Sequence, residues 1–305
     1  MTTATTITRT GTLAVPGATL HHEVRGSGPV LLLLPGGAGD AGMYAGMYAE
    51  LAARYTVVTY DPRGLSRSPL DGPLTDQRVD VWSDDARRLI EHLSPDGTAD
   101  VLGCSSGAIV AVDLLARHPG RVRRVVAHEP PLLELLDDPA PHKALFAEVR
   151  DTYRTEGIAA AMARFSEGLG DGQPDADSDA DPDADADRDS GRTPEAVAEQ
   201  ATELPPEIQE MAPRMHANLP VFLDRMLYPF ATTPPDLAAL RPVADRLVPA
   251  AGRDSRHQLP LHGPASRLAA LLHRDLAEFP GGHLGAVEHP AAFAHRLLGL
   301  LAPAT

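Results

Sequence analysis

The sequence predicts an α/β fold in which a mostly parallel sheet is covered by helices on both faces. Short apolar runs alternate with amphipathic stretches along most of the chain. The runs are apolar throughout, as expected for parallel strands that are buried on both faces. The chain of 305 residues, 43% of them hydrophobic, is also large enough to bury a substantial core. Together these three observations favour a doubly wound sheet.

The first part of the chain predicts an antiparallel hairpin followed by a β/α repeat. Thr12–Val15 and Thr19–Val24 flank the turn residues Pro16-Gly17 and form the hairpin. Buried parallel strands are then expected at Val30–Leu34, Tyr55–Tyr60 and Asp100–Cys104. The intervening helices are expected near Met43–Arg54 and Arg78–Leu93. Small and aliphatic residues predict a further helix at Gly107–Ala116, and Arg123–His128 predicts the next strand.

The alternation stops near residue 131 and resumes only after residue 240. There it predicts strands at Arg246–Ala251 and Leu276–Phe279 and helices at Ala265–His273 and Ala291–Leu301. We therefore assign residues 1–130 and 241–305 to an α/β core. Residues 131–240 show helical patterns and no convincing strand, which predicts an inserted helical cap.

Large apolar side chains in the second half of this predicted cap allow two interpretations. The residues concerned are Met211, Met215, Phe222 and Met226. They pack the cap against the core, or they line an apolar pocket for an acyl chain or ring. Both interpretations remain open at the level of sequence.

An acidic stretch within the predicted cap accounts for about half of the net charge. Residues 171–190 hold nine Asp and one Arg, and so contribute −8 of the total of −15. We expect residues 171–192 to form a disordered loop, because this composition repels itself and cannot bury apolar surface. The spacing of Asp175, Asp177 and Asp179 resembles a calcium loop, but Ala180 and Ala186 stand where the EF-hand needs glycine and glutamate. The sequence therefore predicts no metal.

Charge and cysteine content exclude several other classes of function. The acidic chain lacks the basic face that nucleic acid or an anionic membrane requires, so a small-molecule partner is expected. Cys104 is the sole cysteine, which excludes an intramolecular disulfide. The N-terminal residues lack the apolar core of a signal peptide and no apolar run could span a bilayer, so a cytoplasmic location is expected. The sequence does not indicate an oligomeric state.

A candidate nucleophile lies in the segment Gly103-Cys104-Ser105-Ser106-Gly107. This G-x-S-x-G pattern falls where a predicted strand passes into a predicted helix, a setting that exposes the central serine at the strand's carboxyl end. Cys104 would be a stronger nucleophile, but it lies one position early, so we interpret it as a buried structural residue. Ser105 is the better candidate.

With these motifs the chain resembles the α/β-hydrolase family from about residue 20 to the end, apart from the acidic insert. The resemblance implies an eight-stranded, mostly parallel sheet and a triad in the order serine, acid, histidine. Ala251-Gly252-Arg253-Asp254 resembles the family's glycine-then-acid turn and implies Asp254 as the acid. Phe279-Pro280-Gly281-Gly282-His283 resembles its histidine loop and implies His283 as the base. The alternatives are Glu129 for the acid and His289 or His257 for the base.

Two further loops resemble those of the family. In Pro35-Gly36-Gly37-Ala38-Gly39 the resemblance implies that the Gly37 N–H, together with the backbone N–H of Ser106, forms an oxyanion hole. Pro35 and Ala38 replace the histidine and proline typical of the proline iminopeptidase branch, which argues against peptidase activity. Asp61–Ser68 resembles a conserved loop of the family, with Ser66 in place of its second glycine, and we interpret it as a structural turn braced by Arg63.

The resulting hypothesis is a serine hydrolase, free of cofactors, that cleaves a small carboxylic ester, thioester or lactone through an acyl-enzyme. A serine in the turn between the predicted strand and the predicted helix argues against haloalkane dehalogenases and epoxide hydrolases, which use aspartate as the nucleophile at that position. C–C bond hydrolysis, perhydrolysis and lyase activity remain alternatives on the same scaffold. A non-catalytic small-molecule receptor is an alternative of a different class.

Overall fold

The computed structural model describes residues 8–170 and 206–302. Their core is an eight-stranded sheet, as the sequence predicts. Its strands are β1 (Arg9–Val15), β2 (Ala18–Arg25), β3 (Val30–Leu34), β4 (Thr56–Tyr60), β5 (Ala99–Cys104), β6 (Val122–His128), β7 (Leu247–Gly252) and β8 (Ala277–Phe279).

The order of strands across the sheet is β1-β2-β4-β3-β5-β6-β7-β8. The β1-β2 and β2-β4 pairs are antiparallel, and every other pair is parallel. The prediction of a mostly parallel sheet opened by a hairpin is therefore confirmed. Strands β5 and β6 lie side by side in the middle of the parallel part, so the loops at their carboxyl ends meet at one edge.

Helices cover both faces of the sheet. They are α1 (Tyr48–Ala52), α2 (Val79–Leu93), α3 (Ser106–Arg117), α4 (Ala140–Glu156), α5 (Ile158–Leu169), α6 (Pro206–Val221), α7 (Leu227–Ala231), α8 (Leu237–Leu240), α9 (Leu259–Leu271), α10 (Gly285–Glu288) and α11 (Pro290–Leu301). One hydrophobic cluster lies under α2, α3 and the helices between β6 and β7, and a second lies under α1 and α11 on the opposite face.

Two predicted helices differ from those observed. The stretch predicted as a helix at Met43–Arg54 begins as a 3-10 segment at Ala41–Met47 and is α-helical only over α1. Two glycines and a kink at Tyr44 disfavour a regular α-helix there. Helix α9 begins six residues before the predicted Ala265, because Pro260 occupies its first turn, where no N–H is needed.

Helix α2 shows how local pattern and tertiary contacts combine. Its buried residues Val79, Trp82, Ala86 and Leu89 recur at helical spacing, and Trp82 packs edge-on against Phe230 at 5.1 Å between ring centroids. A carboxylate also lies on this buried face. Asp85 accepts two hydrogen bonds from Arg63, at 2.5 and 2.6 Å, which anchors the Asp61–Ser68 loop as expected from its sequence.

The described residues between β6 and β7 are helical, apart from connecting turns. Phe222 and Met226 belong to the main hydrophobic cluster and Met211 is buried, whereas Met215 is 40% exposed. For Phe222 and Met226 this favours packing against the core. The predicted disordered segment 171–192 lies outside the described residues. Within the described part of the chain, no helix is long and apolar enough to cross a membrane.

Candidate active site

The turn between β5 and α3 holds Ser105 in a strained conformation. Its backbone has φ 54° and ψ −124°, a region that side-chain-bearing residues rarely adopt. The flanking glycines make this turn possible, because a Cβ on Gly103 would meet the Gly107 carbonyl and one on Gly107 would meet the Leu34 carbonyl. The structure thus forms the tight strand-to-helix turn that the motif predicts.

His283 lies in the loop after β8 and pairs with Glu129. The His283 Nδ1 atom is 2.7 Å from Glu129 Oε2. Glu129 directly follows β6, the neighbour of β5, and its own φ is 48°. Ser105 and Glu129, which both have unfavourable backbone conformations, therefore directly follow two adjacent strands at the carboxyl ends of the sheet.

The surroundings of Glu129 favour its ionised form. The side chain is fully buried, and its Oε1 accepts a 2.8 Å hydrogen bond from the Gly252 N–H and another from the Ser255 hydroxyl. Burial raises the pKa of the carboxyl, but the hydrogen bond to His283 and the other favourable contacts outweigh it and lower the pKa to about 2. An ionised Glu129 can only accept a hydrogen bond, so the proton of the pair resides on Nδ1.

The structure corrects the expected partner of His283. The Asp254 side chain is 63% exposed, and its carboxylate lies 3.8 Å from the Arg253 guanidinium. The turn at the end of β7 does serve the site, but through the Gly252 N–H and the Ser255 hydroxyl, both of which bind Glu129. The carboxylate that contacts His283 therefore directly follows β6 and does not belong to the glycine-then-acid turn after β7.

The alternative histidines lie on the surface. His289 is exposed and forms the N-cap of α11, where its carbonyl accepts the Phe293 N–H. His257 is exposed in the turn before α9. Both positions suit solvated side chains, so among the three candidate histidines it is His283 that is joined to a buried carboxylate.

The glycine-rich loop after β3 lies against the Ser105 turn. A Cβ on Gly36 would come within 2.8 Å of the Ser105 Cβ, so only glycine permits this approach. The Gly37 N–H, expected to face the substrate oxygen, donates instead to the Ser106 hydroxyl at 2.9 Å. The Gly36 N–H faces the Met43 sulfur at 3.4 Å. The two residues expected to form the oxyanion hole are thus adjacent, and in this structure they are joined to each other.

Cys104 is buried on the face of the sheet opposite to α3, in the cluster under α1 and α11. Burial raises the pKa of its thiol to about 12, which keeps it protonated at neutral pH. The interpretation of Cys104 as a buried residue is confirmed.

A polar cluster connects helix α6 to the glycine-rich loop, and no sequence motif pointed to it. The Asn218 amide donates to the Ala38 carbonyl and to the Ser66 hydroxyl, both at 2.9 Å, and its oxygen accepts the Ser66 N–H at 2.8 Å. Buried Asp40 accepts hydrogen bonds from the Ser66 hydroxyl and from Arg214. Ser66 has φ 47°, so these bonds hold a strained residue where the family pattern has glycine.

We expect Asn218→Ala to lower the free energy of unfolding by about 1–3 kcal/mol, because it leaves the buried Ala38 carbonyl and the Ser66 N–H without their partner. Urea denaturation measures the effect. His216→Ala, an exposed position on the same helix, is the control and should leave the midpoint unchanged. Equal midpoints for the two variants would show that the cluster does not stabilise the fold.

A cavity of about 490 Å³ opens beside His283. Its apolar lining residues are Met162, Phe165, Leu169, Leu261 and Leu284. Ser166, Gln258, Asp254 and Glu288 add polar groups. The apolar wall comes from α5, from Leu261 in α9 and from Leu284 just before α10, and none of the four residues expected from sequence (Met211, Met215, Phe222 and Met226) lines it. Among residues 8–170 and 206–302, no group of three His, Cys, Asp or Glu side chains could hold a metal ion.

Comparison with known proteins gives a near full-length relative of this chain. The chain is 33% identical over 297 residues to the uncharacterized hydrolase YraK of Bacillus subtilis, and the match covers 95% of each protein. It is 36% identical over 134 residues to a zearalenone hydrolase of Bionectria ochroleuca, a match that covers 41% of this chain and 48% of that protein.

A family model of the α/β hydrolase fold matches residues 29–169. Among solved structures, a thermophilic esterase from Thermogutta terrifontis superposes with a TM-score of 0.68 at 19% identity, over 98% of each chain. At this level of identity the superposition shows only that the two proteins share a fold.

Proposed function

The chain belongs to the α/β-hydrolase family and is a hydrolase, and from this premise we propose that it is a serine hydrolase with the triad Ser105, His283 and Glu129. The observation that carries the proposal is the 2.7 Å pairing of His283 with a buried carboxylate. This pairing lies at the edge of the sheet where the strained turn presents Ser105. Serine hydroxyls are weak nucleophiles, so such a base is what Ser105 requires.

The three residues have separate roles in the proposed mechanism. Glu129 holds the proton of His283 on Nδ1, so that Nε2 is the unprotonated nitrogen that takes the proton from Ser105. Ser105 Oγ attacks the substrate carbonyl, and His283 returns the proton to the leaving group. The negative charge of Glu129 stabilises the imidazolium that forms between these steps. Water, with His283 again as the base, then attacks the acyl-enzyme carbonyl; the acyl bond to Ser105 Oγ breaks, and His283 gives the proton to that oxygen as the acid product leaves.

We propose a small carboxylic ester, thioester or lactone as the substrate. The apolar side chains in the cavity beside His283 suit an aliphatic or aromatic group next to the scissile bond. One relative is named for zearalenone, so zearalenone belongs in the substrate panel. With p-nitrophenyl esters of increasing chain length, we expect kcat/KM to rise beyond acetate; a strict preference for acetate would contradict an apolar pocket.

Labelling by an active-site-directed fluorophosphonate tests the nucleophile. We expect the folded wild-type protein to be labelled and Ser105→Ala to be unlabelled. His283→Ala should also lose labelling, because the hydroxyl then lacks its base, whereas His289→Ala should be labelled at the wild-type rate. Mass spectrometry of the labelled peptide identifies the modified residue. A folded wild-type protein that resists labelling would overturn the proposed mechanism.

A further inference from the structure

The hydroxyl of Ser106 occupies a position that the proposed mechanism leaves without a role. Ser106 is the first residue of α3, directly after Ser105, and its side chain is 4% exposed. Its Oγ accepts the Gly37 N–H at 2.9 Å. A hydroxyl that accepts a hydrogen bond still has a proton to donate.

This contact changes which groups can face the substrate oxygen. The Gly37 N–H points at Ser106 Oγ, and the Gly36 N–H is directed at the Met43 sulfur. The loop cannot swing freely to redirect these groups. Its Ala38 carbonyl is bound by Asn218, and Gly36 already lies in close contact with the Ser105 turn. The Gly37 N–H therefore reaches the turn at Ser105 only through the Ser106 hydroxyl, which accepts it.

We propose that Ser106 is a further catalytic residue, whose hydroxyl donates to the oxyanion while it accepts the Gly37 N–H. The proposal rests on the proposed serine-hydrolase function. As Ser105 attacks, the carbonyl oxygen gains negative charge and receives two hydrogen bonds from Ser106, one from its backbone N–H and one from its hydroxyl. The Gly37 N–H polarises the hydroxyl and fixes its rotamer, which makes the donor preorganised.

The alternative arrangement makes the opposite prediction. If the Gly37 N–H itself binds the oxyanion, then the Ser106 hydroxyl competes for that donor in the resting enzyme. Removing the hydroxyl would then free the Gly37 N–H and leave the rate unchanged or raise it.

Ser106→Ala separates the two arrangements. We expect kcat to fall about 100- to 1000-fold with KM changed only a few fold, the size and pattern typical of a lost oxyanion donor. The rate of fluorophosphonate labelling and the affinity for a trifluoromethyl ketone should fall with kcat, because the transition state of phosphonylation and the hemiketal adduct of the ketone both place negative charge on the oxygen that faces Ser106. Ser106→Thr keeps a hydroxyl and should retain much more activity than Ser106→Ala.

Ser83→Ala, which removes a buried hydroxyl from α2, is the control for general loss of packing. Thermal unfolding of each variant checks that it is folded, and Ser106→Cys provides a second variant with a weak donor should the alanine variant be unstable. A kcat for folded Ser106→Ala within threefold of wild type, or above it, would overturn the assignment. A wild-type enzyme that is inert to fluorophosphonate would instead overturn the proposed function itself.

Discussion

Glu129→Gln should reduce kcat by about three to four orders of magnitude, whereas Asp254→Asn should leave it within about threefold of wild type. The two substitutions are matched, since each exchanges a carboxylate for its amide with little change in size. They differ in position. Glu129 is fully buried and bound to His283, while Asp254 has a 63% exposed side chain.

The physical reason lies in the tautomer and charge of His283. An amide at position 129 can present its NH2 group to Nδ1, which would favour the tautomer with the proton on Nε2 and remove the base. It also leaves the imidazolium without a facing charge in a buried site, where the interaction is strongest. Because the pKa of Glu129 is lowered to about 2, the wild-type carboxylate stays ionised throughout the range in which an ester hydrolase is assayed.

Steady-state kinetics with a p-nitrophenyl ester measure both variants, and circular dichroism checks that each is folded. Asp254 lines the cavity beside His283, so a change in KM alone for Asp254→Asn is compatible with the assignment. A fall of a hundredfold or more in kcat for Asp254→Asn, with Glu129→Gln near wild type, would restore Asp254 as the acid.

The contrast between these two carboxylates shows how far the sequence could predict the site. The turn at Ser105 could be recognised from five consecutive residues, because the motif itself contains Gly103 and Gly107, where a Cβ would meet the Gly107 and Leu34 carbonyls. The pairing of residues 129 and 283 joins positions 154 apart in sequence. It depends on the order of strands across the sheet and on the path of two loops, and no local pattern records either.

The fold shows the same difference between features that a local sequence pattern predicts and features that depend on long-range contacts. The strands were predictable because continuous apolar runs bury both faces of a parallel sheet. The 3-10 segment at Ala41–Met47 was not, because its two glycines weaken a regular α-helix without specifying what replaces it, and the observed conformation is held by tertiary hydrogen bonds. Among these, the Ala41 N–H donates to Asp61 and the Tyr44 hydroxyl donates to the Leu34 carbonyl. The polar cluster of Asp40, Ser66 and Asn218 lacks a sequence signature for the same reason.

A second large effect is expected from substitution of His128, which should change how the free energy of unfolding depends on pH. Its ring is fully buried beside the rings of Phe279 and Phe293, with centroids at 5.6 and 5.1 Å. Among the described residues, neither ring nitrogen has a hydrogen-bond partner. Burial lowers the pKa of His128 to about 4, so this side chain is neutral in the folded protein at neutral pH.

The direction of the pH dependence follows from proton uptake. The folded pKa of about 4 lies below the ordinary value of 6.5, so between these values the unfolded chain binds more protons. The contribution of His128 is therefore complete above pH 6.5 and is lost as the pH falls toward 4. Glu129, with its pKa lowered from 4.5 to about 2, adds a second loss that begins only below pH 4.5. Acid should thus destabilise the protein in two successive pH ranges, an upper one due to His128 and a lower one due to Glu129.

We expect His128→Leu to remove the contribution of His128 to the upper pH range, because leucine fills much of the same apolar space and binds no proton. Between pH 7 and pH 4.5 the wild type should lose about 2 kcal/mol more of its free energy of unfolding than the variant does. Urea denaturation at several pH values measures the difference. His295→Leu, an exposed histidine on α11, is the control and should keep the wild-type pH dependence. If the curves of wild type and His128→Leu stay parallel, then His128 does not contribute to the pH dependence of stability, and the acid sensitivity comes from other titratable groups.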